Sequence, residues 1–241
     1  MNIITSFFNK PIYNNSDETT SIIRNNEYNE CLIKNMMFPY IKKIYLFIDN
    51  EYSLNVLNKL IENNDNKDKI VKIEHNKQAL FSDYFKYIFD NLYNEVIAIC
   101  NSDIYFHKYD QELINKFIIE KGNTFCLTRH ETIDYKPLID KRKGSYDVYI
   151  FKSPLNNGLI NDSKFKQNLK GSDDMIVFLF QKYGYITLNP CLQIKIIHNH
   201  KSDFRETNYK RINNKHYFND YEYKRANHCY LDVETEQITL I

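Results

Sequence analysis

Apolar and polar positions in the first half of the chain follow two patterns in turn. Short apolar runs at residues 2–8, 41–48 and 70–75 are typical of strands. Between them, apolar side chains recur every three or four positions at residues 21–35 and 80–92, which predicts helices. This alternation predicts an α/β fold, in which helices flank both faces of a central, mostly parallel sheet.

The second half of the chain keeps both patterns but in a looser order. Strands are predicted at residues 124–129, 147–151, 186–188 and 192–197, and helices near residues 113–118 and 175–183. Ser172 is the predicted N-cap of the last helix. We therefore expect a mixed sheet. No repeat or linker divides the chain, so we predict one domain over residues 1–241, with the polar, Tyr-rich residues 201–241 as a wrapping tail.

One polar break interrupts the most apolar stretch, residues 95–106. The run through Ile99 and Cys100 predicts a fourth strand, buried on both faces, and Asn101-Ser102-Asp103 follows it. Polar groups at such strand ends are where α/β proteins bind ligands. In an extended segment Asn101 and Asp103 would point the same way and could hold a metal, a sugar hydroxyl or a phosphate. An ordinary strand-to-turn junction uses the same residue types.

Four further polar residues are candidates for chemistry. His198 and His200 follow the last apolar strand and would share a face, where they could bind a metal. An imidazole beside a carboxylate suits Mn²⁺ better than Mg²⁺. The alternative is that the two His side chains only pack at the strand end. Asp173 begins a helix, whose dipole favours the ionised form that a general base needs, although plain capping is common there. Asp147 enters an apolar strand, where a carboxylate either pairs or takes part in chemistry.

The basic residues allow a structural and a functional interpretation. Arg24, one turn before Glu27, fits a surface ion pair on a helix. Arg129, which is followed by His130 and Glu131, also fits a surface ion pair. The basic, aromatic tail either closes over a phosphate or forms a solvated face; its members are Arg205, Tyr209, Lys210, Arg211, Lys215 and Tyr217.

Composition bears on the size of the core, on nucleic-acid binding, on the compartment and on membrane insertion. Hydrophobic residues make up 43% of the 241 residues, enough for a substantial core, and the net charge of +1 gives no argument for nucleic-acid binding. The five Cys residues are widely spaced without a CxxC motif, which predicts buried thiols in a reducing, cytoplasmic compartment. There is no signal peptide pattern and no apolar run near ~18 residues, so we expect no membrane span.

Taken in order, five segments resemble small viral and bacterial GT-A type nucleotide-sugar glycosyltransferases. They are residues 3–8, 97–106, 145–151, 171–174 and 195–198, so that the resemblance covers roughly residues 1–200. Within residues 97–106, Asn101-Ser102-Asp103 is similar to the DxD motif of the family. The departure is Asn101, where the family commonly has Asp; Asn can still donate or accept a hydrogen bond but adds no charge.

The resemblance implies an inverting, metal-dependent enzyme. It would move a sugar from a nucleotide-diphosphate donor, with a UDP-sugar favoured, to a hydroxyl of a glycan or other acceptor. The implied metal is Mn²⁺ or Mg²⁺ at Asp103 and His198. The implied base is Asp173, or else Asp147 or Asp174. The residues that we assign to the donor site are Thr5, Ser6, Phe7, Arg24, Asn101, Ser102 and Asp103.

Two other functions fit parts of the same pattern. A nucleotidyltransferase would also use an α/β sheet with acidic metal ligands, but it usually needs a Gly-rich phosphate loop, and residues 5–13 contain no Gly. A non-catalytic module that binds carbohydrate or protein would need neither the metal nor the base. The sequence leaves the oligomeric state open.

Overall fold

The computed structural model describes residues 1–131, 145–202, 204 and 225–241. The basic tail residues named above lie outside them. The strands are β1 (Asn2–Phe7), β2 (Lys43–Ile48), β3 (Ile70–Glu74), β4 (Val96–Cys100), β5 (Ile104–Lys108), β6 (Thr124–Leu127), β7 (His130–Glu131), β8 (Val148–Lys152), β9 (Thr187–Leu188), β10 (Lys195–His198), β11 (Cys229–Leu231) and β12 (Ile238–Leu240).

The helices are α1 (Glu18–Met37), α2 (Glu51–Ile61), α3 (Phe81–Asn91), α4 (Gln111–Leu113), which continues as a π-helical segment over Ile114–Glu120, α5 (Gly158–Asp162) and α6 (Ser172–Lys182). Helices α1, α3 and α6 and the π-helical segment lie at the predicted positions. A 3₁₀ turn over Lys67–Lys69 precedes β3. In the part of the chain that the structure describes, no helix combines the length and the apolar character needed to cross a bilayer.

Seven strands form the central sheet in the order β3-β2-β1-β4-β8-β6-β9. The first four are parallel neighbours, β8 is antiparallel to both β4 and β6, and β9 is parallel to β6. The predicted mixed, mostly parallel α/β sheet is therefore confirmed. The division into one domain with a wrapping tail stays a prediction.

The core lies in two layers, one on each face of this sheet. Neighbouring residues Ile3 and Ile4 of β1 belong to different clusters, because side chains along a strand alternate between faces. Helices α1 and α2 and the π-helical segment pack on one face. Helices α3, α5 and α6 pack on the other face. All five Cys residues are buried and free, as predicted.

Residues 95–106 contribute to two strands separated by a turn, rather than continuing through Asn101 and Asp103 as the extended segment that we expected. Strand β4 ends at Cys100, the chain turns with Ile104 N donating to Asn101 O at 3.2 Å, and β5 then joins a different sheet, β5-β10-β7. A turn breaks the twofold alternation of side chains. The expectation that Asn101 and Asp103 share a face is therefore wrong.

The start of α6 also differs from the prediction. Gly171, not Ser172, is the N-cap, with a φ of 88° that suits a residue without a Cβ. Ser172 is the first residue of the helix, and its hydroxyl donates to Gln167 O at 2.6 Å.

Near the C-terminal end of the chain, β11 and β12 form a hairpin, and Cys229 N donates to Asn189 O at 3.1 Å. This bond joins the hairpin to the main body.

Candidate active site

The ends of several strands meet at one edge of the central sheet. Parallel strands β1, β2 and β4 leave the sheet there, and antiparallel β8 enters at the same edge because Val148 pairs with Cys100. Strand β10 reaches it from the second sheet, where His198 pairs with Ile104. Asp103, Asp147 and His198 are thus brought together by topology from positions far apart in sequence.

Asp103 lies at the centre of this edge and is bound by two side chains. Arg24 Nη2 donates to Asp103 Oδ2 at 2.8 Å, and His198 Nε2 lies 3.3 Å from the same oxygen. Burial alone would raise the pKa of Asp103. The hydrogen bonds and charges of His198 and Arg24 prevail and hold that pKa well below its usual range. Asp103 is therefore a stable carboxylate, as a metal ligand must be.

Asp103, His198 and His200 form a group whose candidate ligand atoms all lie within 4.8 Å of one another. The two imidazole rings are 5.0 Å apart between centroids. Burial, together with the charge of Arg24, lowers the pKa of His200 to about 4, so His200 is neutral and can offer a lone pair. One carboxylate oxygen and two imidazole nitrogens fit Mn²⁺ better than Mg²⁺, which prefers oxygen ligands.

Arg24 and Glu27 are buried, so the prediction of a surface ion pair is wrong. Arg24 Nη1 donates to Glu27 Oε2 at 2.6 Å, and the Glu27 side chain is only 1% exposed. Periodicity along α1 identifies this pair in the sequence. Its burial depends on Asp103, His198 and His200 packing against the same helix face, which the sequence does not reveal.

Asp147 is the acceptor of a separate polar network. Its Oδ1 accepts from Asn101 Nδ2 at 2.9 Å and from Arg129 Nη1 at 3.1 Å, and its Oδ2 accepts from Ser145 Oγ at 3.1 Å. Asn101 thus turns toward Asp147, while Asp103 turns toward Arg24. Arg129 is held by this buried carboxylate as well as by Glu131, and so is not only the surface pair that we expected.

Asp173 and Asp174 lie in the first turn of α6, partly buried. Ser172 Oγ, whose proton is directed at Gln167 O, also lies 3.1 Å from Asp173 Oδ1. Burial and the nearby negative charge of Asp147 raise the pKa of Asp173 to about 7. A carboxylate that titrates near neutral pH can both take up and release a proton under ordinary conditions.

The end of β1 lines the same edge beside Ser102. Ser102 Oγ donates to Ser6 O at 2.8 Å and lies 3.5 Å from Thr5 Oγ1, which ties the turn after β4 to β1. Ser6 Oγ is 2.6 Å from the Tyr84 hydroxyl. Phe7 differs from the other predicted donor contacts, because its ring is 2% exposed and lies in the core. Only its backbone can face a ligand.

Asp49 and Glu131 belong to this region but were not among the predicted site residues. Asp49 follows β2, and its Oδ1 is buried without a hydrogen-bond partner among the described residues. Burial raises the pKa of Asp49 to about 7, although the positive charges of Lys166 and Lys10 act to lower it. Glu131 Oε2 lies 3.5 Å from His198 Nδ1. The position of Asp49 at a strand end was the available sequence signal; Glu131 had none, because its contact depends on β7 pairing with β10.

Asp49→Asn should stabilise the protein at pH 8 and have little effect at pH 4. The folded-state pKa of Asp49 is raised from 3.8 to about 7, so its contribution to stability is present at low pH and is lost as the pH rises through about 7. The amide of Asn does not ionise, so the variant does not lose this stability as the pH rises. We expect Tm at pH 8 to rise by at least about 2–4 °C, the shift that ~1 kcal/mol produces in a chain of this size.

Thermal unfolding of both proteins at the two pH values measures this difference. Asp90→Asn, which changes an exposed carboxylate paired with Lys86, is the matched control and should leave Tm almost unchanged at both values. Equal Tm values for Asp49→Asn and the parent protein at pH 8 would show that the Asp49 carboxylate is well solvated or paired.

Comparisons with known proteins identify the fold. No family model matches the chain, and neither does any curated protein. Among solved structures it is similar to the mannosyltransferase PcManGT from Pyrobaculum calidifontis in complex with GDP-Man and Mn²⁺, with a TM-score of 0.54 and 10% identity. The match covers 86% of this chain and 58% of that chain, so this chain spans less than two thirds of that enzyme's length.

A second similar structure is HddC from Yersinia pseudotuberculosis, with 13% identity and a TM-score of 0.45, covering 82% of this chain and 92% of that chain. That TM-score is too low to support an inference. The likeness to the mannosyltransferase, at 10% identity, concerns the fold alone. With the sheet order and flanking helices described above, it confirms the prediction that this chain has a GT-A-like, Rossmann-like α/β fold.

Proposed function

We propose that the protein is a metal-dependent, inverting glycosyltransferase that moves a sugar from a nucleotide-diphosphate donor to a hydroxyl group. The observation that carries this proposal is the group Asp103, His198 and His200, which lies at the ligand-binding edge of a GT-A-like sheet. The similar mannosyltransferase structure, which contains GDP-Man and Mn²⁺, supports this choice among functions that the fold could serve.

The donor side of the proposed site lies around Asp103. Asp103, His198 and His200 would hold Mn²⁺, and the end of β1 at Thr5 and Ser6 would face the nucleotide. A divalent cation bound there would neutralise the charge that develops on the leaving diphosphate. Asn101, fixed by its bond to Asp147, would offer its amide oxygen to the donor. A UDP-sugar remains our favoured donor, and GDP-sugars are the first alternative to test.

The acceptor side of the proposed site lies around Asp173. With a pKa of about 7, Asp173 would accept the proton of the attacking hydroxyl, a step typically worth ~10²–10⁴-fold in rate. Asp147 is less suited to that role because Arg129, Asn101 and Ser145 already bind its two oxygens. It would instead keep Asn101 in place and, through its charge, help to raise the pKa of Asp173. Asp174 is the alternative base.

The experiment that tests this proposal is a thermal-shift screen with UDP, GDP and their sugar conjugates, each with and without Mn²⁺. A ligand at a hundred times its Kd stabilises the folded state by ~2.7 kcal/mol, which corresponds to a rise in Tm of several degrees. We expect such a rise with one nucleotide class, and a larger rise when Mn²⁺ is present. No shift with any nucleotide would contradict the proposal and favour a non-catalytic binding module.

A further inference from the structure

The guanidinium of Arg24 contacts two of the three side chains that would hold a divalent cation. Its Nη2 donates to Asp103 Oδ2 at 2.8 Å, and its Nη1 lies 3.0 Å from His200 Nδ1. Because a guanidinium only donates hydrogen bonds, His200 Nδ1 must be the acceptor, with its lone pair directed at Arg24. The positive group of Arg24 thus joins two of the three candidate metal ligands.

Two side chains of α1 hold Arg24 independently of Asp103. Glu27 Oε2 accepts from Arg24 Nη1 at 2.6 Å, and the Tyr28 ring lies beneath the guanidinium, 4.4 Å from centroid to Cζ. Glu27 is itself fixed, because the Ser202 backbone N–H and hydroxyl both donate to its carboxylate. Arg24 can therefore leave Asp103 and still keep a buried counter-charge and an aromatic contact next to the site.

We propose that Arg24 competes with the divalent cation for Asp103 and His200, and so couples metal binding to donor binding. A cation that binds Asp103 Oδ2 displaces the guanidinium, which stays with Glu27 and Tyr28 at the rim of the site. There its donors are available to diphosphate oxygens, for which a guanidinium is well suited. This inference rests on the proposed function for the identity of the donor, but its competition step concerns the cation alone.

Competition between Arg24 and the cation predicts a change in metal affinity opposite to the one expected for a metal ligand. Removing a positive residue that contacts two ligands should strengthen metal binding, whereas removing an ordinary member of a metal site weakens it. We expect Arg24→Gln to bind Mn²⁺ alone at least tenfold more tightly than the parent protein. In the same variant, the factor by which UDP or GDP increases Mn²⁺ affinity should fall, because the group that links the two ligands is gone.

Calorimetric titration with Mn²⁺ alone, followed by titration with UDP or GDP present, measures both quantities. Lys34→Ala is the matched control, because it removes a positive charge from the same helix and Lys34 lies over the Tyr105 ring, 4.0 Å from its centroid, rather than at Asp103. It should leave Mn²⁺ affinity unchanged. Arg24→Lys keeps the charge without the guanidinium fork and should give an intermediate affinity, which provides a second test if Arg24→Gln does not fold.

Glu27→Gln should act in the opposite direction. Without the Glu27 charge, Arg24 depends more on Asp103, and we expect Mn²⁺ affinity to fall below that of the parent protein. The proposal is overturned if Arg24→Gln, or Arg24→Lys in its place, binds Mn²⁺ no more tightly than the parent, including the case in which neither binds it. Failure of the proposed function is distinguishable, since it would appear as the absence of any nucleotide-dependent thermal shift in the parent protein.

Discussion

Asp103→Asn is expected to abolish Mn²⁺-dependent binding of the nucleoside diphosphate, with a loss of affinity of at least ~100-fold. The reason is that Asp103 supplies the charge of a three-residue ligand group, and that its unusually low pKa keeps this charge under all ordinary conditions. Asn preserves the shape of the side chain but offers only a neutral amide oxygen, a much poorer ligand for a divalent cation.

The fold should tolerate this change better than the site does. Asn can still accept a hydrogen bond from Arg24, and Arg24 keeps Glu27 as its charged partner. Calorimetry with Mn²⁺ and with UDP or GDP measures the affinity, and Asp90→Asn serves as a control for the loss of an exposed carboxylate. Unchanged Mn²⁺ and nucleotide affinities in Asp103→Asn would remove Asp103 from the proposed metal site.

Asp173→Asn is expected to keep donor binding and to lose ~10²–10⁴-fold in the rate of sugar transfer, the usual contribution of a general base. Asp173 lies on α6, next to the Ser172 hydroxyl and close enough to Asp147 to be affected by its charge, and it is not one of the three candidate metal ligands. Nucleotide and Mn²⁺ affinities should therefore be nearly unchanged. Its amide replacement cannot accept a proton. The effect should therefore appear in kcat and not in KM.

The pH dependence provides a second measure of the same role. The base acts as a carboxylate, so the parent rate should rise as the pH increases through about 7, the pKa of Asp173, and level off above it. That rise should be absent from the residual activity of Asp173→Asn. Asp174→Asn is the matched control, one residue away in the same helical turn. If Asp174→Asn loses transfer and Asp173→Asn does not, Asp174 is the base.

The pattern of the sequence predicted the sheet edge better than the site within it. Strand ends are visible where an apolar run stops or begins: two stops indicated Asp103 and His198, and the start of one run indicated Asp147. Parallel topology predicts that the carboxyl ends of strands such as β1 and β4 meet at one edge. The antiparallel pairing of β8 with β4 and of β10 with β5 then adds Asp147 and His198 to that edge. This is why residues more than 90 positions apart could be assigned to one site from sequence patterns and family resemblance.

Local geometry at the turn could not be predicted in the same way. Residues 101–103 were interpreted as extended, but the hydrogen bond from Ile104 N to Asn101 O closes a turn, and the two polar side chains diverge. Whether a chain turns or continues depends here on β5 pairing with β10, almost a hundred residues later. A three-residue polar break carries no information about that partner.

Burial was the other property that the sequence did not provide. The spacing of Arg24 and Glu27 is the same for an exposed and a buried ion pair. What distinguishes them is the packing of β5, and of the residues after β10, against α1. Asp49 looks like any polar residue after a strand, yet its carboxylate is buried and its pKa is raised. The burial of Arg24, Glu27 and Asp49, and the electrostatic effects that follow from it, were thus the features hardest to identify from sequence alone.

Sugar transfer is tested most directly by mass spectrometry of the products after the protein is incubated with a nucleotide sugar, Mn²⁺ and a panel of hydroxyl acceptors. We expect release of a nucleoside diphosphate together with a glycosylated acceptor, or with free sugar where water is the acceptor. Release of pyrophosphate in the presence of a sugar phosphate and a nucleoside triphosphate, with no nucleoside diphosphate from any nucleotide sugar, would contradict it and identify a nucleotidyltransferase.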